Sequence, residues 1–115
     1  MIELKEVCKV YKSKSGESFK ALDNFSYSFL NRGLVGIYGD SGCGKTTLLN
    51  LIGGIDTLTS GDILIDNKSL TKFKNKELDA YRNQEIGFIF QDDNLIDNLN
   101  VFENVSLALS LRKIN

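Results

Sequence analysis

Residues 39–46 read Gly-Asp-Ser-Gly-Cys-Gly-Lys-Thr. Before them runs the apolar stretch Leu34-Val35-Gly36-Ile37-Tyr38, and after them Thr47-Leu48-Leu49-Asn50-Leu51-Ile52. Strand, glycine-rich turn and helix in that order form the setting of a phosphate-binding loop. A polyphosphate needs several backbone N–H groups converging on it, which only a tight, side-chain-poor turn offers. Gly39, Gly42 and Gly44 permit the curvature, and Asp40, Ser41 and Cys43 complete the loop. The helix that follows adds its unpaired N–H donors and the positive end of its dipole. In such a loop Lys45 supplies a point charge for the β- and γ-phosphates of a triphosphate, and Thr46 a hydroxyl for Mg2+. Cys43 sits where a small residue is needed, and a redox role is not required to explain it. The alternative, a chance glycine-rich turn beside a stray lysine, does not account for the strand and helix on either side.

The chain has 115 residues, enough for one small domain and near the lower end for a complete nucleotide hydrolase. Fourteen basic against fifteen acidic residues leave a net charge of -1, so no global electrostatic argument favours nucleic acid. No apolar run approaches the ~20 residues of a membrane span. The start, Met1-Ile2-Glu3-Leu4-Lys5, is strand-like and unlike a signal peptide. Cys8 and Cys43 lie far apart without metal-ligand spacing, and are expected to be reduced thiols. Histidine is absent, which excludes histidine-based catalysis within these residues.

The pattern predicts strands first and helices last, an α/β class. Residues 2–11 read as a strand with Ile2 and Leu4 on one face, and 12–18 as a loop. Phe25, Tyr27 and Phe29 alternate with polar residues, as in a half-buried antiparallel strand. Residues 34–38 read as a buried strand. The helix after the glycine loop buries Leu48, Leu51 and Ile52, and Gly53-Gly54 stops it. Ser60-Gly61 reads as a turn, 62–66 as a short strand, and 75–83 as a polar helix with Leu78 and Tyr81 inward. Residues 86–90 read as a second buried strand. Asn100 followed by Glu103 forms a capping box for a last helix running through Arg112.

From Ile2 to about Leu111 the chain resembles the N-terminal half of an ABC-transporter ATPase domain. The resemblance rests on an ordered set of segments. Tyr11 ends the first strand, Ala21-Leu22 and the Phe25/Tyr27/Phe29 strand follow, then the glycine loop and Gly53-Gly54-Ile55-Asp56. Thr59-Ser60-Gly61-Asp62-Ile63-Leu64-Ile65-Asp66 comes next. Ile86-Gly87-Phe88-Ile89-Phe90-Gln91, Asn94-Leu95-Ile96 and Val101-Phe102-Glu103-Asn104-Val105 complete it. The wording is closest to the branch serving lipoprotein release, macrolide efflux and antimicrobial-peptide export.

The resemblance implies a P-loop NTPase fold, here with the antiparallel β subdomain, the P-loop strand–helix unit and the start of the helical subdomain. It implies ATP and Mg2+ as ligands, a membrane permease and a second ATPase domain as partners, and a place on the inner face of the cell membrane. Tyr11 would stack on adenine, a role favoured over the other reading, an ordinary strand-end aromatic. Gln91 would reach Mg2+ and the attacking water, though a plain surface amide is the other reading. Thr47 would help hold the α-phosphate end. Asp92-Asp93 suggest a metal site less than a solvated acidic loop, and they depart from the neutral residues expected there.

Residues 1–115 are accordingly expected to form a partial domain, ending after the glutamine loop and the first helix of the helical subdomain. The family's Leu-Ser-Gly-Gly signature, its Walker B carboxylates and its switch histidine do not occur in the sequence. Phosphoryl transfer depends on several such groups acting together, so the chain alone is expected to bind nucleotide weakly and hydrolyse it negligibly. In the family fold the strands at 34–38 and 86–90 are not neighbours, so both are expected to have unpaired edges and the chain to self-associate. Two other classes stand beside the transport ATPase. One is a different P-loop enzyme such as a small kinase or GTPase, against which the lack of an Asn-Lys-x-Asp motif counts. The other is a non-catalytic nucleotide-binding or interaction module.

Overall fold

The computed structural model describes residues 1–111. Two long strands, β1 (Ile2–Lys12) and β2 (Ser18–Ser28), open the chain. Helix α1 (Lys45–Ile52) follows, then β3 (Ser60–Ile65), the short β4 (Lys68–Ser69), a 3-10 turn, α2 (Asn75–Gln84) and α3 (Val101–Leu111). The four strands form one antiparallel sheet in the order β2-β1-β3-β4. The expected helix end at Arg112 lies outside the described residues.

Leu4, Val7 and Ile63 from the sheet meet Leu48 and Leu51 from α1 to form the core. Ile2, Leu22, Phe29, Ile37 and Ile52 pack around it, so Ile52 is only half-buried. A strict two-residue alternation would put Leu4 and Val7 on opposite faces of β1. The pairing register shifts between them, and Glu6 takes a φ of 46°. That bulge turns both side chains inward. The Glu6 amide donates to a side chain of β2, Ser26 Oγ, at 2.9 Å.

Ser60 and Gly61, expected as a turn, instead begin β3. Gly61 lies against the bulge with a φ of 88°, and a Cβ there would stand 2.3 Å from the Glu6 carbonyl oxygen. The glycine thus makes room for a displaced backbone rather than reversing the chain.

Residues 34–38 and 86–90, expected as buried strands, form no ladder with any strand among the described residues. Apolar sequence can favour extension, but cross-strand hydrogen bonds make the strand. Leu34 is 98% exposed, Tyr38 94% and Ile89 100%, whereas Ile37 reaches the core and Phe88 lies across Gly53.

Helix α1 ends as expected: the Gly53 amide donates to Leu49 O, and Gly54, at a φ of 70°, donates to Leu51 O. Helix α2 docks on this end, with Tyr81 buried and Leu78 half-buried. Helix α3 carries the predicted capping box. The Asn100 amide donates to Glu103 Oε2 at 2.9 Å, and the Glu103 amide to Asn100 Oδ1 at 2.8 Å.

Candidate nucleotide-binding site

The glycine loop curls around its own lysine. The Cys43 amide donates to the Asp40 carbonyl at 3.2 Å, closing a turn with Gly42 at a φ of 82°. Within the curl the Lys45 ammonium donates to the carbonyls of Gly39 and Asp40, the latter at 2.8 Å, and lies 3.5 Å from Cys43 Sγ. The charge is therefore held at the mouth of the loop by backbone geometry.

Gly44 fixes where the loop sits. It precedes α1 with a φ of 101°, and a Cβ there would lie 2.6 Å from the carbonyl oxygen of Ala21 on β2. Only glycine combines that backbone with that close approach. The first turn of α1 carries no acidic residue to offset its positive end.

Against this loop opens a cleft of about 430 Å3, lined by Phe19, Ala21, Ser41, Gly42, Gly44, Lys45, Thr46, Thr47 and Gln91. Most of the expected site residues meet there, and Gln91 arrives from the far end of the 86–90 segment. No carboxylate lines the cleft and Lys45 is its cation, which suits a polyphosphate. Thr46 and Gln91 contribute a hydroxyl and an amide, oxygen donors of the kind Mg2+ takes.

Gly39, Asp40, Cys43 and Tyr11 are not among the lining residues. Gly39 and Asp40 act through their carbonyls on Lys45. Cys43, exposed, faces an adjoining cavity of about 360 Å3 between β2 and residues 35–38. Asp92 and Asp93 are exposed, and no cluster of three metal-ligating side chains occurs among the described residues.

Tyr11 lies at the end of β1. Its hydroxyl donates to Asp56 Oδ2 at 2.7 Å, and the Lys9 ammonium stands 4.9 Å from its ring centre. Partial burial pushes the Asp56 carboxyl up. Hydrogen bonds from Tyr11, Lys9 and the Thr57 amide, with the Lys9 charge, outweigh it and hold the group below its usual value.

Phe19 and Ala21 were not singled out as site residues by the sequence. Phe19 is the cross-strand partner of Tyr11 and 58% exposed, and of the two aromatics it is Phe19 that lines the cleft. Its signal was the Phe19/Ala21 spacing, which puts both on one face of β2 just before the bulged stretch at Asn24.

The ABC transporter family profile matches residues 22–114. The ABC transporter ATP-binding protein YxdL of Bacillus subtilis is 42% identical over 98% of this chain and 43% of its own length. The bacitracin export ATP-binding protein BceA of Halalkalibacterium halodurans is 51% identical over 70% of this chain and 32% of its own. The methionine import ATP-binding protein MetN of Histophilus somni is 41% identical over 98% and 32%. The dimeric structure of MJ0796, a bacterial ABC transporter cassette, superposes with a TM-score of 0.91 at 41% identity, covering all of this chain and 49% of that one. The chain thus spans less than half the length of these curated relatives. The fold is that of a P-loop NTPase cassette of this kind.

Proposed function

The chain belongs to the ABC transporter ATP-binding family, and from that premise we propose that it is the ATP-binding portion of an ATPase that powers membrane transport. One observation carries the proposal: Lys45, Thr46 and Thr47 of the loop share a carboxylate-free cleft with Gln91, a residue remote in sequence. In this reading the amides of residues 41–46 and the Lys45 ammonium take the β- and γ-phosphates. Thr47 steadies the α-phosphate end. Thr46 and Gln91 offer oxygens to Mg2+, which neutralises charge on the phosphates when bound. Tyr11, with Phe19 beside it, provides the adenine platform.

The partners proposed are a membrane permease and a second ATPase domain, since a dimeric cassette is the structural likeness. No described helix is long and apolar enough to cross a membrane. The place proposed is the inner membrane face, beside the permease. We favour export, on the 51% identity to the bacitracin exporter over the 70% of this chain that aligns with it. Because no carboxylate lines the cleft, these residues alone can hold a triphosphate without activating water against it. Binding without turnover is therefore the reading for the 115-residue chain.

The test is titration with MgATP and MgGTP alongside steady-state phosphate release. Adenine preference, lost affinity in Lys45→Ala and negligible turnover by the 115-residue chain are expected. Robust turnover that vanishes in Lys45→Ala, or a guanine preference, would overturn the reading.

A further inference from the structure

The loop between α1 and β3 is stitched to the end of β1, residue by residue. The Thr59 amide donates to the Cys8 carbonyl at 3.0 Å, and the Val10 amide to Thr59 Oγ1 at 2.9 Å. Lys9 Nζ donates to Asp56 Oδ1 at 3.0 Å and to the Thr57 carbonyl at 2.7 Å. Asp56 Oδ1 also accepts from the Thr57 amide at 2.8 Å, leaving Oδ2 to the Tyr11 hydroxyl at 2.7 Å. The Lys9 side chain is only 12% exposed, and its ammonium stands over the Tyr11 ring.

These contacts hold the ring at its hydroxyl and over one face. The carboxylate anchors the hydroxyl, and the cation lies on one face at stacking distance. Tyr11 itself keeps 40% of its surface exposed. Asp56 follows Gly53 and Gly54, which end the same helix that begins at the phosphate loop. The strap therefore links the strand-end aromatic to the phosphate loop through one rigid helix.

We infer that Asp56, assisted by Lys9, is a positioning residue that pre-orients the Tyr11 ring for the base of the nucleotide. The inference rests on the reading of Tyr11 as the adenine platform. A ring already held in one rotamer loses less freedom when a base stacks on it. The network then sets affinity for the base and leaves affinity for the phosphates alone.

The test compares MgATP with Mg-tripolyphosphate, which lacks base and sugar, by titration calorimetry on the full-length protein. Tyr11→Phe and Asp56→Ala are each expected to weaken MgATP by about 3- to 10-fold, the value of one hydrogen bond. The double variant should lose no more than the weaker-binding single, and tripolyphosphate affinity should not change. Should Asp56→Ala not fold, Lys9→Met with Tyr11→Phe carries the same comparison. Equal losses for both ligands would mean a merely structural strap and overturn the inference. So would additive losses, or an unchanged Tyr11→Phe. If Tyr11→Ala weakens MgATP while Tyr11→Phe and Asp56→Ala do not, the stacking reading survives and the positioning role falls. If Tyr11→Ala changes nothing, both fall.

Discussion

The Tyr81 hydroxyl donates to the Ile52 carbonyl at 2.6 Å, joining α2 to the last turn of the helix that begins at the phosphate loop. Helix ends leave carbonyls without partners, and here the neighbouring helix supplies one. Arg82 does the same for Gly54 at 2.9 Å. Tyr81 is 5% exposed, so Tyr81→Phe strands an acceptor at low solvent access. The expected cost is about 1–2 kcal/mol in urea unfolding. Burial first, and the Glu85 charge second, push the phenol from 10.0 up to about 12. The native state thus keeps a proton that the unfolded chain releases. The stabilisation is complete below pH 10 and is lost as pH rises towards 12. Tyr81→Phe should remove that part of the alkaline destabilisation.

Asp56 gives the opposite dependence. Its carboxyl lies below the ordinary 3.8, so the native state releases its proton before the unfolded chain does. The stabilisation is present above pH 3.8 and is lost as pH falls through the lower folded value. The stability gap between the parent protein and Asp56→Asn should be on the order of 1 kcal/mol near neutrality, given a side chain part-open to water. It should close in acid. A gap independent of pH down to that range would show that the carboxylate charge contributes nothing.

Which parts of this were legible in the sequence follows from how local the causes are. The phosphate loop, the α1 stop at Gly53-Gly54 and the Asn100/Glu103 box depend on residues within a few positions of one another, and each appears where the pattern puts it. The role of Gly61 depends on the bulge at Glu6, some fifty-five positions away, and no local pattern reports it. The segments at 34–38 and 86–90 have the composition of buried strands, but pairing is a property of partners, not of composition. Gln91 lines the cleft together with the loop residues. Phe19 and Asp56 were not read as site residues because their places follow from the strand register and from the strap across β1.

Gly44 and Gly42 separate two costs of a side chain in the loop. Both have positive φ, but a Cβ at Gly42 meets nothing within 4 Å, whereas at Gly44 it meets a backbone oxygen. Gly42→Ala should cost only the left-handed strain, about 1–2 kcal/mol. Gly44→Ala adds a clash that β2 cannot relieve by rotating a side chain, worth roughly another 1–3 kcal/mol. Thermal melts of the two variants should rank them in that order.

The capping box bears more weight in α3 than a cap ordinarily does, since none of the residues of α3 is buried. With little packing to hold it, the helix depends on local terms. Asn100→Ala should cost about 1 kcal/mol of local stability, and Glu103→Ala less, with the pair falling short of additive. Hydrogen exchange of the amides at 104–107 reads this directly. Protection there should drop while that of the β1 amides stays the same.

The apolar surface of the extended segments bears on the state of the chain in solution. Leu34, Tyr38 and Ile89 are almost wholly exposed, Phe90 and Val35 are half so, and neither segment has a ladder partner among the described residues. Unpaired backbone next to exposed apolar side chains is a template for pairing with another chain. The near-neutral net charge of -1 offers little repulsion against it. The 115-residue chain should therefore sediment as oligomers at concentrations on the order of tens of micromolar, within the range where exposed edges associate. Leu34→Lys with Ile89→Lys should shift it towards monomer, because a charge on an apolar edge opposes pairing. These substitutions lie outside the core of Leu4, Val7, Leu48, Leu51 and Ile63, so the circular dichroism of the sheet should survive them. A monodisperse monomer for the unsubstituted chain would show instead that the two segments cover one another in solution.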